Sequence, residues 1–187
     1  MRLPRSALQP HAAIRGVSRK EWTFTLEAAL PDGTSQMLAQ AHVILDEHGR
    51  PLSGPELAID KRVTIDGSEL RIDIDGVSSL TDFTLEAASR QFEQNFGHPP
   101  TELPGSLADD NKAIFRRAYV AELDKGATPQ VAANRAASQT PFVIARVRRK
   151  YTDIEVRPSG SVRVTIGDPP RVRNVPEKVI VITRRKP

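Results

Sequence analysis

The sequence predicts an α+β protein: a small antiparallel β part at the N-terminus, then three or four helices, then a C-terminal antiparallel sheet. Three observations carry this. Trp22, Phe24 and Leu26 alternate with Thr23, Thr25 and Glu27, the period of two that a half-buried strand requires. Leu85, Ala88, Phe92 and Phe96 are spaced by three and four, the stripe of a helix buried on one face. Beyond Tyr151 the period of two returns, with Ile154, Val156, Val162, Val164 and Ile166 set between polar residues. Helices followed by an antiparallel sheet are the pattern of the α+β class.

Taken in order, residues 1–20 hold Arg2, Arg5, Arg15, Arg19 and Lys20 and no acid. They lack the apolar stretch of roughly 7–15 residues that a signal peptide needs, and the Ser enrichment of a transit peptide. They read as a flexible basic tail. Residues 21–78 form the small antiparallel region. Pro31-Asp32-Gly33 turns its first strand into a second around Met37–Leu45, and Asp46-Glu47-His48-Gly49-Arg50-Pro51 is another turn. Arg62–Ile65 and Leu70–Ile74 flank Asp66-Gly67, a hairpin signal.

Residues 79–187 form a basic α+β region. Asp82 can cap its first helix, which Gly97 and Pro99-Pro100 end. Ser106, with Asp109 three residues on, opens a second helix that carries Ile114, Phe115, Ala118 and Leu123 inward and stops at Gly126. Thr128-Pro129 opens a third, ending near Gln139. Thr140-Pro141 repeats that signal for a short fourth helix through Lys150, while Phe142-Val143-Ile144 suits a strand start equally well. Pro158-Ser159-Gly160 then joins two strands, Gly167-Asp168-Pro169-Pro170 is a loop, and Val179–Thr183 is a last strand. The apolar run Val179-Ile180-Val181-Ile182 falls far short of the ~20 residues of a membrane span.

Composition narrows the chemistry. The 187 residues are 39% hydrophobic and 27% charged, too apolar for a disordered chain and too interrupted for a membrane protein. Without cysteine there is no disulfide, thiolate nucleophile or Cys-containing metal site, and the compartment stays open. His11, His42, His48 and His98 show no paired ligand spacing, so neither a metal nor another cofactor is expected. Asp73-Ile74-Asp75-Gly76 lacks the twelve-residue pattern of a calcium loop. No P-loop, GxGxxG or GxSxG is present.

The net charge of +4 is unevenly placed. Residues 1–80 sum to −2 and residues 81–187 to +6, and residues 146–187 alone hold 12 basic against 4 acidic residues, net +8. Such a density creates a field able to hold a polyanion. The candidate phosphate contacts are Arg146, Arg148, Arg149, Lys150, Arg157, Arg163, Arg171 and Arg173. If the valines around Arg163 face inward, Arg163 faces out with Ser161 and Thr165. The bland reading is an Arg-rich surface that keeps a domain soluble. Tyr151 is the only aromatic after Phe142, which gives no support to a stacking platform for single strands.

Acid–base candidates are His98, Tyr151, Asp153 and Glu155. His98 sits on a loop just past a helix, where it suits proton transfer or, alternatively, bonds a terminal helix carbonyl. Strand parity puts Tyr151, Asp153 and Glu155 on one face and Thr152, Ile154 and Val156 on the other. Either these groups serve phosphodiester cleavage without a metal, with the arginines steadying the transition state, or the carboxylates pair with neighbouring arginines. Lys112, Arg116 and Tyr119 share one face of the second helix, read as solvated.

Phe96-Gly97-His98-Pro99-Pro100-Thr101-Glu102-Leu103-Pro104-Gly105-Ser106-Leu107-Ala108, followed by Asn111 and Phe115, resembles the C-terminal effector regions of bacterial polymorphic toxins, those attached to Rhs-type or filamentous-haemagglutinin-type carriers. So does Tyr151-Thr152-Asp153-Ile154-Glu155-Val156 with the late Asn174-Val175-Pro176 and Arg184-Arg185. The turn Asp46–Pro51 is similar to the D-x-x-G-R turn of Rhs repeats. The resemblance covers roughly residues 46–187. It implies a compact secreted effector of bacterial competition, often a nuclease, made in the producer's cytoplasm and delivered by a carrier into a target cell. It further implies RNA as substrate and an acidic immunity protein as partner. Starting at Met1, the chain is expected to be free-standing, with any carrier missing from it. The helices-then-sheet order is similar to that of small metal-independent ribonuclease toxins. The rival expectation is a non-enzymatic accessory module, secretion-system or phage-associated, whose basic face docks an acidic protein.

Overall fold

The computed structural model describes residues 1–52, 56–59, 62–65, 68–71, 73–77, 79–107, 109–157 and 179–184. The class is α+β, and the chain forms two compact units, Met1–Thr101 and Glu102–Pro187.

The first unit begins with β1 (Arg2–Leu3), a 3-10 turn at Arg5–Ala7 and β2 (Leu8–Arg15). The segment expected to be a tail is therefore a strand from residue 8 to 15. β2 pairs antiparallel along its whole length with β3 (Glu21–Ala29), Leu8 opposite Ala28 and Arg15 opposite Glu21. It is an edge strand with most side chains exposed, so it needs no apolar alternation to form, and none announces it. β3 pairs with β4 (Ser35–Ile44), and β4 with β5 (Glu56–Ile59), which completes the order β2-β3-β4-β5. A bulge opposite Leu26 and Glu27 turns consecutive Leu38 and Ala39 both inward. β6 (Arg62–Ile65) and β7 (Ser68–Arg71) form the expected hairpin, whose turn at Asp66-Gly67 lies outside the described residues. β8 (Asp73–Ile74) runs parallel to β1, where Arg2 and Asp75 form an ion pair.

The turn at Asp46 explains its own sequence. One carboxylate oxygen accepts from the backbone N–H of His48 at 2.9 Å and of Arg50 at 2.8 Å, and the other from Arg50 Nε at 3.1 Å. The Arg50 backbone bond is the main cause that holds the Asp46 carboxyl below its ordinary pKa. Turn chemistry thus accounts for the Asp and Arg of this loop.

Helix α1 (Leu80–Phe96) starts two residues before Asp82, because the cap is Ser79, whose Oγ accepts from Asp82 N at 3.5 Å. It ends where expected, at Gly97, whose φ of 75° puts it in the left-handed region while its N–H returns to Glu93 O at 2.8 Å. Ala88 and Phe92 of α1 join Trp22, Phe24, Leu26, Ala41 and Val43 in one buried cluster. Trp22 stacks on Phe24 and meets Phe92 edge-on with centroids 5.6 Å apart. This aromatic contact binds α1 to the N-terminal sheet, so the boundary between units follows α1 instead of falling at residue 78.

The second unit holds α2 (Asp109–Asp124), α3 (Pro129–Ser138), α4 (Pro141–Val147), β9 (Tyr151–Arg157) and β10 (Val179–Arg184). α2 begins at Asp109, later than the Ser106 signal suggests. α3 and α4 follow their Thr-Pro signals, and the helical alternative for residues 142–147 is the one realised. α3 buries Ala132, Ala133, Ala136 and Ala137, all without exposure. β9 and β10 pair antiparallel, Val156 opposite Ile180. The expected strand around Val162–Ile166, its turn at Pro158–Gly160 and the loop at Gly167–Pro170 lie outside the described residues.

Candidate nucleic-acid interface

The candidate site runs from the end of α4 along β9. Thr140 fixes the start of α4: its Oγ1 donates to Ala137 O at 2.7 Å and accepts from Val143 N at 3.3 Å. After seven residues the helix closes with Arg148 N donating to Ile144 O and Lys150 N to Val147 O. Lys150 then adopts φ 67°, the one non-glycine residue with a left-handed backbone among those described. This reverses the chain into β9 at a steric cost of about 1–2 kcal/mol. β9 is held from two sides. β10 pairs along it, and α3 reaches the Val156 backbone with two amides. Gln130 Nε2 donates to Val156 O at 3.1 Å, and Val156 N donates to Asn134 Oδ1 at 3.1 Å.

Arg148 and Lys150 are exposed at the start of this strand and Arg157 at its end. Seven strand residues set these two cationic ends about 20 Å apart. Asp153 and Glu155 are exposed between them, and Glu155 Oε2 accepts from Arg157 Nε at 3.1 Å. Arg149 is half-buried and donates to Ala145 O at 2.7 Å. Arg163, Arg171 and Arg173 lie outside the described residues.

Two predicted site residues are not at the surface. Arg146 is 1% exposed. Its Nε donates to Leu103 O at 3.0 Å and its Nη1 to Phe142 O at 2.8 Å, and its guanidinium lies over the Phe142 ring at 3.5 Å. Among the described residues no carboxylate pairs with it. Burial, and after it the Arg149 charge, pull its pKa down to about 9, which leaves it a cation at neutral pH. Arg146 therefore anchors the 103–105 loop and cannot meet a phosphate. Tyr151 is 3% exposed and does not share the outer face of Asp153 and Glu155. Parity fails because Thr183 faces Asp153 while Arg184 faces Tyr151, a bulge that skips Thr152. Thr152, expected inward, is exposed.

His98 belongs to the first unit. It is exposed, its Nδ1 donates to Pro99 O at 3.0 Å, and its ring meets Phe92 edge-on at 5.7 Å. The bond goes to the following residue and not to a terminal carbonyl of α1. The Lys112–Arg116–Tyr119 face is not solvated: Tyr119 is 2% exposed and stacks on Phe115 at 5.9 Å. Burial raises its pKa.

The motif around Leu103–Phe115 has a structural role. Leu103, Leu107 and Phe115 are buried, and Asn111 Oδ1 accepts from Phe142 N at 3.0 Å. A side chain at Gly105 would meet the Phe142 ring at 2.9 Å, so the close approach requires glycine. Sequence reasoning also missed Gln130, Asn134 and Glu122. Gln130 and Asn134 carry a readable signal, two amides four apart in an alanine-rich helix, which bond each other at 3.0 Å. Among the described residues no group of His, Asp or Glu is arranged to hold a metal, and no helix is long and apolar enough to cross a membrane. No protein-family model, curated protein or solved structure matches this chain.

Proposed function

We propose that Glu102–Pro187 is a toxin-like effector domain that acts on nucleic acid, RNA first, by gripping phosphates with the exposed cations around β9. The observation that carries it is the charge: +8 within residues 146–187, with Arg148, Lys150 and Arg157 exposed at the two ends of one strand. Lys150 adds support. Its backbone conformation favours glycine, yet a lysine stands there with its side chain exposed. A strained residue that carries charge is a reasoned pointer to function. In this reading cleavage falls to Asp153 and Glu155, the carboxylates between the cationic ends. Arg146 and Tyr151, being buried, have no part in it.

The burial of Tyr151 and Arg146 favours a second reading, in which the same basic face docks an acidic protein and no bond is cleaved. Titration of a labelled RNA at about 50 and 200 mM salt decides the binding step. Several phosphate contacts weaken affinity by orders of magnitude across that range, and salt-independent binding overturns it. Incubation of RNA with wild type and Asp153→Ala decides cleavage, since breakdown by neither leaves only the second reading. Lys150→Gly separates strain from charge. It keeps or slightly raises thermal stability, by up to about 1 kcal/mol, while RNA affinity falls. Unchanged affinity removes Lys150 from the site.

A further inference from the structure

The C-terminal unit has four aromatic residues, Phe115, Tyr119, Phe142 and Tyr151, and no histidine. All four lie among the described residues, and none is exposed. Phe115, Tyr119 and Tyr151 are buried. Phe142 is half-buried, and the Arg146 guanidinium covers one face of its ring. A protein that holds single-stranded nucleic acid normally stacks bases on aromatic rings. This unit has no exposed ring to supply.

What it does expose are charges at fixed places. Arg148 and Lys150 lie at one end of β9 and Arg157 at the other, on a strand clamped by β10 and by Gln130 and Asn134. A flexible single strand must be ordered to meet both ends, about 20 Å apart, and gains no stacking in return. A double helix already holds its phosphates in place. It also carries the higher charge density, so each cation releases more counterions, with a salt slope of about −0.9 per contact against about −0.7 for single strands.

From this we infer that the ligand is double-helical nucleic acid, read through its phosphates and without regard to base sequence. The inference rests on the nucleic-acid reading above and narrows its substrate class to duplex. The test measures binding of the full chain to a 20-base-pair RNA duplex, a DNA duplex and an unstructured single strand of equal length, at one salt concentration. Both duplexes are expected to bind about tenfold or more tighter than the single strand, and two unrelated duplex sequences within about threefold of each other. The double variant Arg148→Lys/Arg157→Lys, which keeps charge and removes the flat guanidinium, is expected to hold duplex affinity within about threefold. A single strand bound as tightly as duplex overturns the inference and leaves the nucleic-acid reading standing. A large loss in the lysine variant also overturns it, because stacking or bidentate contacts then matter. Binding to none of the three overturns both.

Discussion

The two units solve the problem of a core with different materials. Met1–Thr101 uses large rings: Trp22, Phe24, Phe92 and Phe96 meet one another between the sheet and α1, and Phe92 and Phe96 lie 4.7 Å apart. Glu102–Pro187 brings α3 close to its neighbours through four buried alanines, and places Glu122, Thr140 and Arg146 inside. Each of these three is tied down. Glu122 receives Lys125 Nζ at 2.7 Å and Arg135 Nη1 at 3.1 Å, and Arg146 spans two carbonyls. The same unit carries 17 basic and 9 acidic residues, against 10 and 14 in the first. The contrast teaches that the cationic unit spends part of its charge internally. Counting arginines overstates what its surface can offer.

The strongest way to break this contrast is to truncate one ring. Trp22→Ala is expected to cost about 3–5 kcal/mol in urea denaturation, because a fully buried indole leaves a cavity. A loss under 2 kcal/mol would show that the first core does not depend on its rings.

Next comes Arg146→Ala, at about 2–4 kcal/mol, since the change empties the space over Phe142 and orphans the Leu103 carbonyl. Arg146→Lys should recover little of it, because an ammonium cannot reach two carbonyls as a flat fork does. Full rescue by lysine would mean that charge alone matters there. Asn134→Ala should cost about 1–2 kcal/mol and speed hydrogen exchange at the Val156 amide, whose acceptor it removes.

The smallest effect concerns pH. The Lys125 hydrogen bond, and then that of Arg135, hold the Glu122 carboxyl below its ordinary value near 4.5. The stability that Glu122 adds is present above that value and is lost as pH falls through the lower folded-state value. Glu122→Gln should flatten the acid side of the stability–pH curve. An unchanged acid limb would remove Glu122 from the account.

What was legible in the sequence was local. Thr128-Pro129 and Thr140-Pro141 place two helix starts because cap and N1 proline act within a few residues. The alternation of Trp22, Phe24 and Leu26 places β3 because one face is fully buried. What escaped was decided by partners far along the chain. β2 has almost no pattern of its own and forms by pairing with β3. Tyr151 is buried because of a bulge opposite Thr183 and Arg184 that parity does not foresee. Arg146 resembles its neighbours Arg148 and Arg149 in sequence, and only the Leu103 carbonyl and the Phe142 ring distinguish it. Of the candidate site, Arg148, Lys150, Arg157, Asp153 and Glu155 are exposed as expected, while Arg146 and Tyr151 are not.

The two amides of α3 at Val156 act as a ruler. Asn134 needs an N–H and Gln130 needs a carbonyl from one and the same residue. A slip of β9 that preserved its faces would have to move by two residues. One direction brings Pro158 to that point, and proline has no N–H to give. The other carries Arg157 two residues further along. The register of β9 on α3, and with it the place where its cationic ends fall, is thus set by a pair of uncharged side chains on a neighbouring helix.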